Sequence, residues 1–203
     1  MSGGDQNTIN NKCAACTIGG GQNNTANPFI LSTGITISGG NTNTANKDYA
    51  TVSSGQNNTA SGSYAVVSGG SGNTASNDYA TVSGGVNNTA SGNYATVGGG
   101  DTNTASGVSS IVLGGQHNTA NGDYSIVVGG GNNTAAGTYS LAAGYNMALG
   151  ASAAHTFLWG YSAAAITPIA TADAFLIYSG RVGIRDLVPA ALLEINSNNS
   201  SDD

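Results

Sequence analysis

Charge is what this chain has least of. Lys and Arg together number 4 among 203 residues and Asp and Glu number 10, a charged share of 7%, where ordinary soluble domains run at about a quarter. Binding to nucleic acid through phosphate neutralisation requires clustered basic side chains. Lys12, Lys47, Arg181 and Arg185 are scattered and the net charge is −6, so that class is excluded. Proline occurs 3 times and glycine keeps no three-residue period, which excludes a collagen helix. No apolar run approaches the ~18 residues of a membrane-spanning helix, and no membrane insertion is expected. Residues 1–12 show no basic-then-apolar leader pattern. Disorder of the kind that accompanies high net charge and few β-branched residues is not expected either.

Chemistry-bearing residues are as sparse as charge. Cys13 and Cys16 form a C-x-x-C, a spacing open to three readings: an incidental structural pair, a disulfide, or part of a metal site shared between chains. His117 and His155 lie far downstream, so no four-ligand site within one chain is expected. Asp48, Asp78 and Asp123 recur beside a tyrosine and not beside a second carboxylate. They read as turn residues and not as a glycosidase pair. His117 reads as a surface variant of an asparagine. The expectation is a non-enzyme with no cofactor and no metal of its own.

What the chain has instead is glycine, 32 residues of it, and a repeat. Tyr49, Tyr64, Tyr79, Tyr94, Ser109, Tyr124 and Tyr139 fall 15 residues apart, and so do Asn43, Asn58, Asn73, Asn88, Asn103, Asn118 and Asn133, each followed by Thr-Ala. The unit is G-G-x-x-N-T-A-S-G-x-Y-A-T-V-S. Looser copies surround Asn7 and Asn24, and the excursion from Pro28 to Ile37 breaks the phase. Fifteen residues are too few for helical repeats or propeller blades. The Tyr-Ala-Thr-Val-Ser segment alternates with period two and reads as a strand, with Ala50 and Val52 on one face and Tyr49 and Thr51 on the other. Asn-Thr-Ala reads as a second strand, and the Gly-Gly and Ser-Gly pairs as turns. The fold class expected is all-β: a parallel β-solenoid, or β-roll, of 15-residue coils stacked about 4.8 Å apart. Its narrow core admits the Ala45 and Val52 rows. A roll this thin buries little per residue, so association of several copies, intertwined or side by side, is expected.

The repeat Asn-Thr-Ala-x-Gly-x-Tyr-Ala-x-Val-x-Gly-Gly resembles the head repeats of trimeric autotransporter adhesins and of phage tail fibres. The resemblance covers roughly residues 1–150 and implies a left-handed parallel β-roll that assembles as a homotrimer. The stretch from Ala174 to Ile184, followed by Pro189 to Ile195, is similar to the segment that precedes an endosialidase-type intramolecular chaperone in viral fibres. Arg185 and Asp186 stand where that family has Gly-Thr. Cleavage in that family falls between Ser and Asp, which the resemblance would place after Ser201. An adhesin of the autotransporter kind carries a secretion signal, a coiled-coil stalk and a membrane barrel segment, and none is read here.

Three segments are therefore expected: the repeat region 1–150 (irregular coils 1–37, regular array 38–142), an aromatic transition 151–178, and a C-terminal fibre segment 179–203. The resemblance implies a structural fibre component of a phage or phage-like particle, a rigid trimeric spacer in host attachment. It would sit on the virion or an extracellular surface among other tail or baseplate proteins. The alternative is a surface adhesin or receptor-binding head contacting host glycan or protein. Tyr49, Tyr64, Tyr79, Tyr94, Tyr124 and Tyr139 are candidates for a trimer interface or an exposed stacked ladder. Phe157, Trp159 and Tyr161 are candidates for a cap or a glycan contact. A threonine column from Thr44 to Thr134 also raises an ice-binding reading, with Thr51, Val67, Thr81, Thr96 and Leu113 as its second column.

Overall fold

A computed structural model describes residues 3–28 and 31–178, and the C-terminal fibre segment falls outside the described residues. Every strand pairing is parallel, and two long ladders account for nearly all of them. One holds ten strands, stepping from Thr8–Ile9 through Thr44–Ala45 and its copies to Ala148–Leu149. The other holds eleven, from Thr17–Ile18 through Thr51–Val52 to Phe157–Tyr161 and Phe175–Tyr178. The chain alternates between them, two strands to a coil, so the fold is the β-solenoid that the period requires. In the regular array each strand pairs with the strand 15 residues on, Thr74 with Thr89 and Val67 with Val82.

The strands are shorter than the sequence pattern implies. In the regular array most are two residues long, and the tyrosine lies in the turn before the strand. Its N–H donates to the preceding coil, Tyr79 to the Ser63 carbonyl at 2.9 Å, and the turn around it is closed by the next residue: Ala80 N–H donates to the Asn77 carbonyl at 3.1 Å, with Tyr79 at φ +60°. The inward and outward alternation holds all the same. Ala50 and Val52 are fully buried, while Tyr49 is exposed. One contiguous core runs the length of the rod, made of the Ala45 and Ala50 rows, the Val52 row and the larger Ile18, Ile35, Ile37, Leu149 and Leu158 near its ends.

A second inward column was not legible as core. Asn43, Asn58, Asn73, Asn88, Asn103, Asn118 and Asn133 are fully buried. Each closes the same network, typified by Asn88. Its Nδ2 donates to the carbonyls of Gly84 and Gly100 at 2.9 Å, one in its own coil and one in the next. Its Oδ1 accepts from the backbone N–H of Asn103 at 2.9 Å. A buried amide is tolerated only when its donors and acceptor are satisfied, and here the next coil satisfies them. The facing glycine cannot be replaced freely. Gly85 has φ +88°, and a Cβ there would collide with the Gly100 carbonyl, so coils pack backbone to backbone at this corner.

The irregular coils differ only in their loops. Thr36–Ile37 rejoins the ladder between Thr17–Ile18 and Thr51–Val52, and Ile35 and Ile37 are fully buried in the core. Ser32–Thr33 forms a small side sheet with Cys13–Ala14.

Candidate functional site

The tyrosines of the repeat build the most regular feature of the surface. All six lie at φ between +56° and +60°, a conformation costing roughly 1–2 kcal/mol for a residue with a Cβ. Their rings stack face to face: Tyr49 on Tyr64 at 4.9 Å, Tyr64 on Tyr79 at 5.0 Å, Tyr79 on Tyr94 at 4.8 Å. Ser109 interrupts the column, which resumes with Tyr124 on Tyr139 at 4.8 Å and Tyr139 on the His155 ring at 5.5 Å. Aromatic pairs contribute about 0.5–1.5 kcal/mol each, which offsets most of the backbone strain. The ladder is exposed within one chain, and its inner rungs show edges and hydroxyls because their faces cover one another. A sugar-stacking platform needs free faces, so the inner rungs do not supply one.

The residues expected to cap the repeat continue it. Phe157–Tyr161 pairs in register with Leu141–Tyr145 on one side and with Phe175–Tyr178 on the other. Leu158 enters the core, and the alternate residues point outward. Phe157 stacks on Phe175 at 4.9 Å and Tyr161 on Tyr145 at 5.8 Å, while Trp159 is 55% exposed. None of Phe157, Trp159 and Tyr161 is fully buried within one chain.

The outer face of the eleven-stranded ladder changes character along the rod. The first outward column reads Thr36, Thr51, Val66, Thr81, Thr96, then Ile111, Ile126, Leu141, Phe157, Phe175. The next outward column reads Ser53, Ser68, Ser83, Gly98, then Leu113, Val128, Ala143, Trp159, Ile177. Hydroxyls cover the N-terminal half and aliphatic or aromatic groups the C-terminal half. The switch falls at the coil of Ile111. Inside, the trend is reversed: the Ala50 column gives way to Ser110, Ser125 and Ser140. The hydroxyls of Ser110 and Ser125 are buried without a hydrogen-bond partner. This register also corrects the second threonine column. Val67 is core, paired with Val52 and Val82, and the outward partner of Thr51 is Val66. Leu113 is displaced likewise, since Ile111 is the partner of Thr96. The face interrupts its threonines with valine and isoleucine.

The titratable groups have local roles. Asp48, Asp78 and Asp123 each accept a backbone N–H from the preceding coil, at Thr33, Ser63 and Val108 respectively, at 2.8–2.9 Å. Asp78 also pairs with Lys47 at 3.6 Å. Hydrogen bonds from Thr102 and then Gln116, with a smaller effect of His117, hold the exposed Asp101 carboxyl below its usual range. His117 occupies the left-handed corner, φ +55°, that Asn57 and Asn87 fill elsewhere. His155 Nδ1 meets the Asp173 carboxylate at 3.1 Å, both exposed. Cys13 and Cys16 are joined by a disulfide, which resolves the three readings of that pair. Among the described residues no group of three or more His, Cys, Asp or Glu side chains converges as a metal site, and no helix is long and apolar enough to cross a membrane. The chain matches no family model and no curated protein.

Proposed function

We propose that this chain is a structural fibre component of a phage or phage-like particle, a rigid homotrimeric spacer that holds attachment surfaces away from the particle. The observation that carries the reading is the apolar outer strip of the C-terminal half. Tyr145, Tyr161, Trp159 and Phe175 are between 41% and 71% exposed. Large aromatic side chains present about 150–250 Å² each, so with Leu113 and Val128 the strip amounts to several hundred Å². Patches of that size on soluble proteins mark interaction sites, and a stable interface needs about 800 Å² per partner. A strip parallel to the rod axis has a natural complement in the same strip of another copy, whose rungs share its spacing. Three copies then gain avidity for whatever surface they carry. The resemblance of the repeat to fibre heads supports the same reading.

Light scattering tests it. The expected mass is three times the 19.8 kDa chain, falling towards one chain when Leu113→Ser and Val128→Ser are combined; a stable wild-type monomer with an intact β-sheet spectrum overturns the trimer. A receptor-binding head is the second reading, favoured by the exposed Trp159 ring. Glycan-array binding that disappears with Trp159→Ala would select it.

A further inference from the structure

We propose that the gap at Ser109 in the tyrosine ladder is a binding notch for one flat organic cation, the guanidinium of an arginine presented by a partner protein. Tyr94, Ser109 and Tyr124 occupy the same slot in three consecutive coils, with φ +60°, +54° and +57°. The backbone passes through unchanged: Ser109 N–H donates to the Asn93 carbonyl and Tyr124 N–H to the Val108 carbonyl, both at 2.8 Å, as Tyr79 N–H does to Ser63 at 2.9 Å. Only a ring is missing. Rungs elsewhere lie 4.8–5.0 Å apart, so the slots of Tyr94 and Tyr124, two coils apart, are separated by about 10 Å. One flat group fits against the face of Tyr94 that the missing ring leaves open, at about 5 Å, inside the ~6 Å range of cation–π attraction. Tyr94 is 57% exposed against 46% for Tyr64 and Tyr79, and Tyr124 is 47% exposed, so the open face is mainly that of Tyr94.

Charge selects the occupant. Aromatic faces are the negative side of the ring quadrupole, and the open one of Tyr94 favours a positive filler. Asp123 Oδ1 accepts the Val108 N–H at 2.9 Å, which brings its carboxylate to the coil of Ser109, beside the notch. Among the described residues Asp123 makes no ion pair. The chain carries −6 overall. A guanidinium is planar, stacks on rings and pairs with a carboxylate through its fork, whereas an ammonium is a compact, strongly hydrated point charge. The notch belongs to the fold of one chain, and this inference does not rest on the fibre reading.

The test is a ligand-observed NMR titration of the full chain with N-acetyl-arginine amide. The expected result is a saturable upfield shift of the arginine δ-methylene protons, with affinity about tenfold lower in Ser109→Tyr, which fills the notch, and lower in Asp123→Asn. Added salt weakens the wild-type binding. Should Ser109→Tyr fail to fold, Tyr94→Leu removes one wall and carries the same expectation. No saturable shift, an unchanged affinity in the filled or open-walled variant, or equal binding of N-acetyl-lysine amide or N-acetyl-phenylalanine amide overturns the proposal. None of these outcomes depends on whether the chain is a monomer or a trimer.

Discussion

Tyr79 sits where glycine or asparagine would be conformationally easier. Its ring is held between those of Tyr64 and Tyr94, and that stacking is what makes a bulky residue tolerable at φ +60°. The two effects separate by mutation. Tyr79→Ala keeps the strain and loses two stacked contacts, a loss of about 1–3 kcal/mol; Tyr79→Gly loses the same contacts but relaxes the backbone and is the milder change. Chemical denaturation of the pair measures the difference, and equal destabilisation would show that the strain is not real. Ser110 offers the opposite case. Its hydroxyl is buried without a partner, in a column that holds Ala50, Ala65, Ala80 and Ala95 in earlier coils. Ser110→Ala is expected to stabilise the fold by about 1 kcal/mol, seen as a higher denaturation midpoint.

The coil is the element of this fold, and its sequence announces most of it. Period two in Ala50-Thr51-Val52 and the recurrence of Ala45 fix which side chains face inward, and both rows are core. The placement of Tyr49 was less legible. It continues the alternation, so nothing in the local pattern separates a strand residue from a turn residue at the same phase. The buried asparagines were hidden by chemistry, because a polar side chain reads as surface until its partners are known. Their partners are the carbonyls of neighbouring coils, which only the stacked register supplies. A signal did exist: Asn stays constant in the unit while the positions before it vary. The network makes a sharp prediction. Asn88→Ala strands the Asn103 N–H and the Gly84 carbonyl, leaves the Gly100 carbonyl only its bond from Val86 N–H, and is expected to cost about 3 kcal/mol, whereas Asn7→Ala, at the exposed first coil, costs under ~1 kcal/mol. Thermal unfolding of the two variants checks this; equal losses would contradict the role of the stacked column. The short C-x-x-C is an element of another kind. Its disulfide closes the turn around Ala15, at φ +55°, the slot that tyrosine holds in the regular array.

The whole molecule explains the composition. Coils stacked about 4.8 Å apart would line up any charge in the repeat with its copies, which accounts for a charged share of 7%. Glycines such as Gly85, Gly100 and Gly115 are the corners at which backbones of neighbouring coils touch. The division into a hydroxyl-clad half and an apolar half has no full reason in a single rod: Phe157 stacks on Phe175 there, yet Trp159 and Phe175 stay more than half exposed. The division finds one if the C-terminal half is covered by other copies. Small-angle X-ray scattering of the purified chain tests that account most directly, because one profile gives both mass and shape. The account predicts the mass of three chains and an elongated profile with a described segment roughly 50 Å long, ten coil steps. A profile of monomer mass, or a compact near-spherical one at any mass, would contradict it.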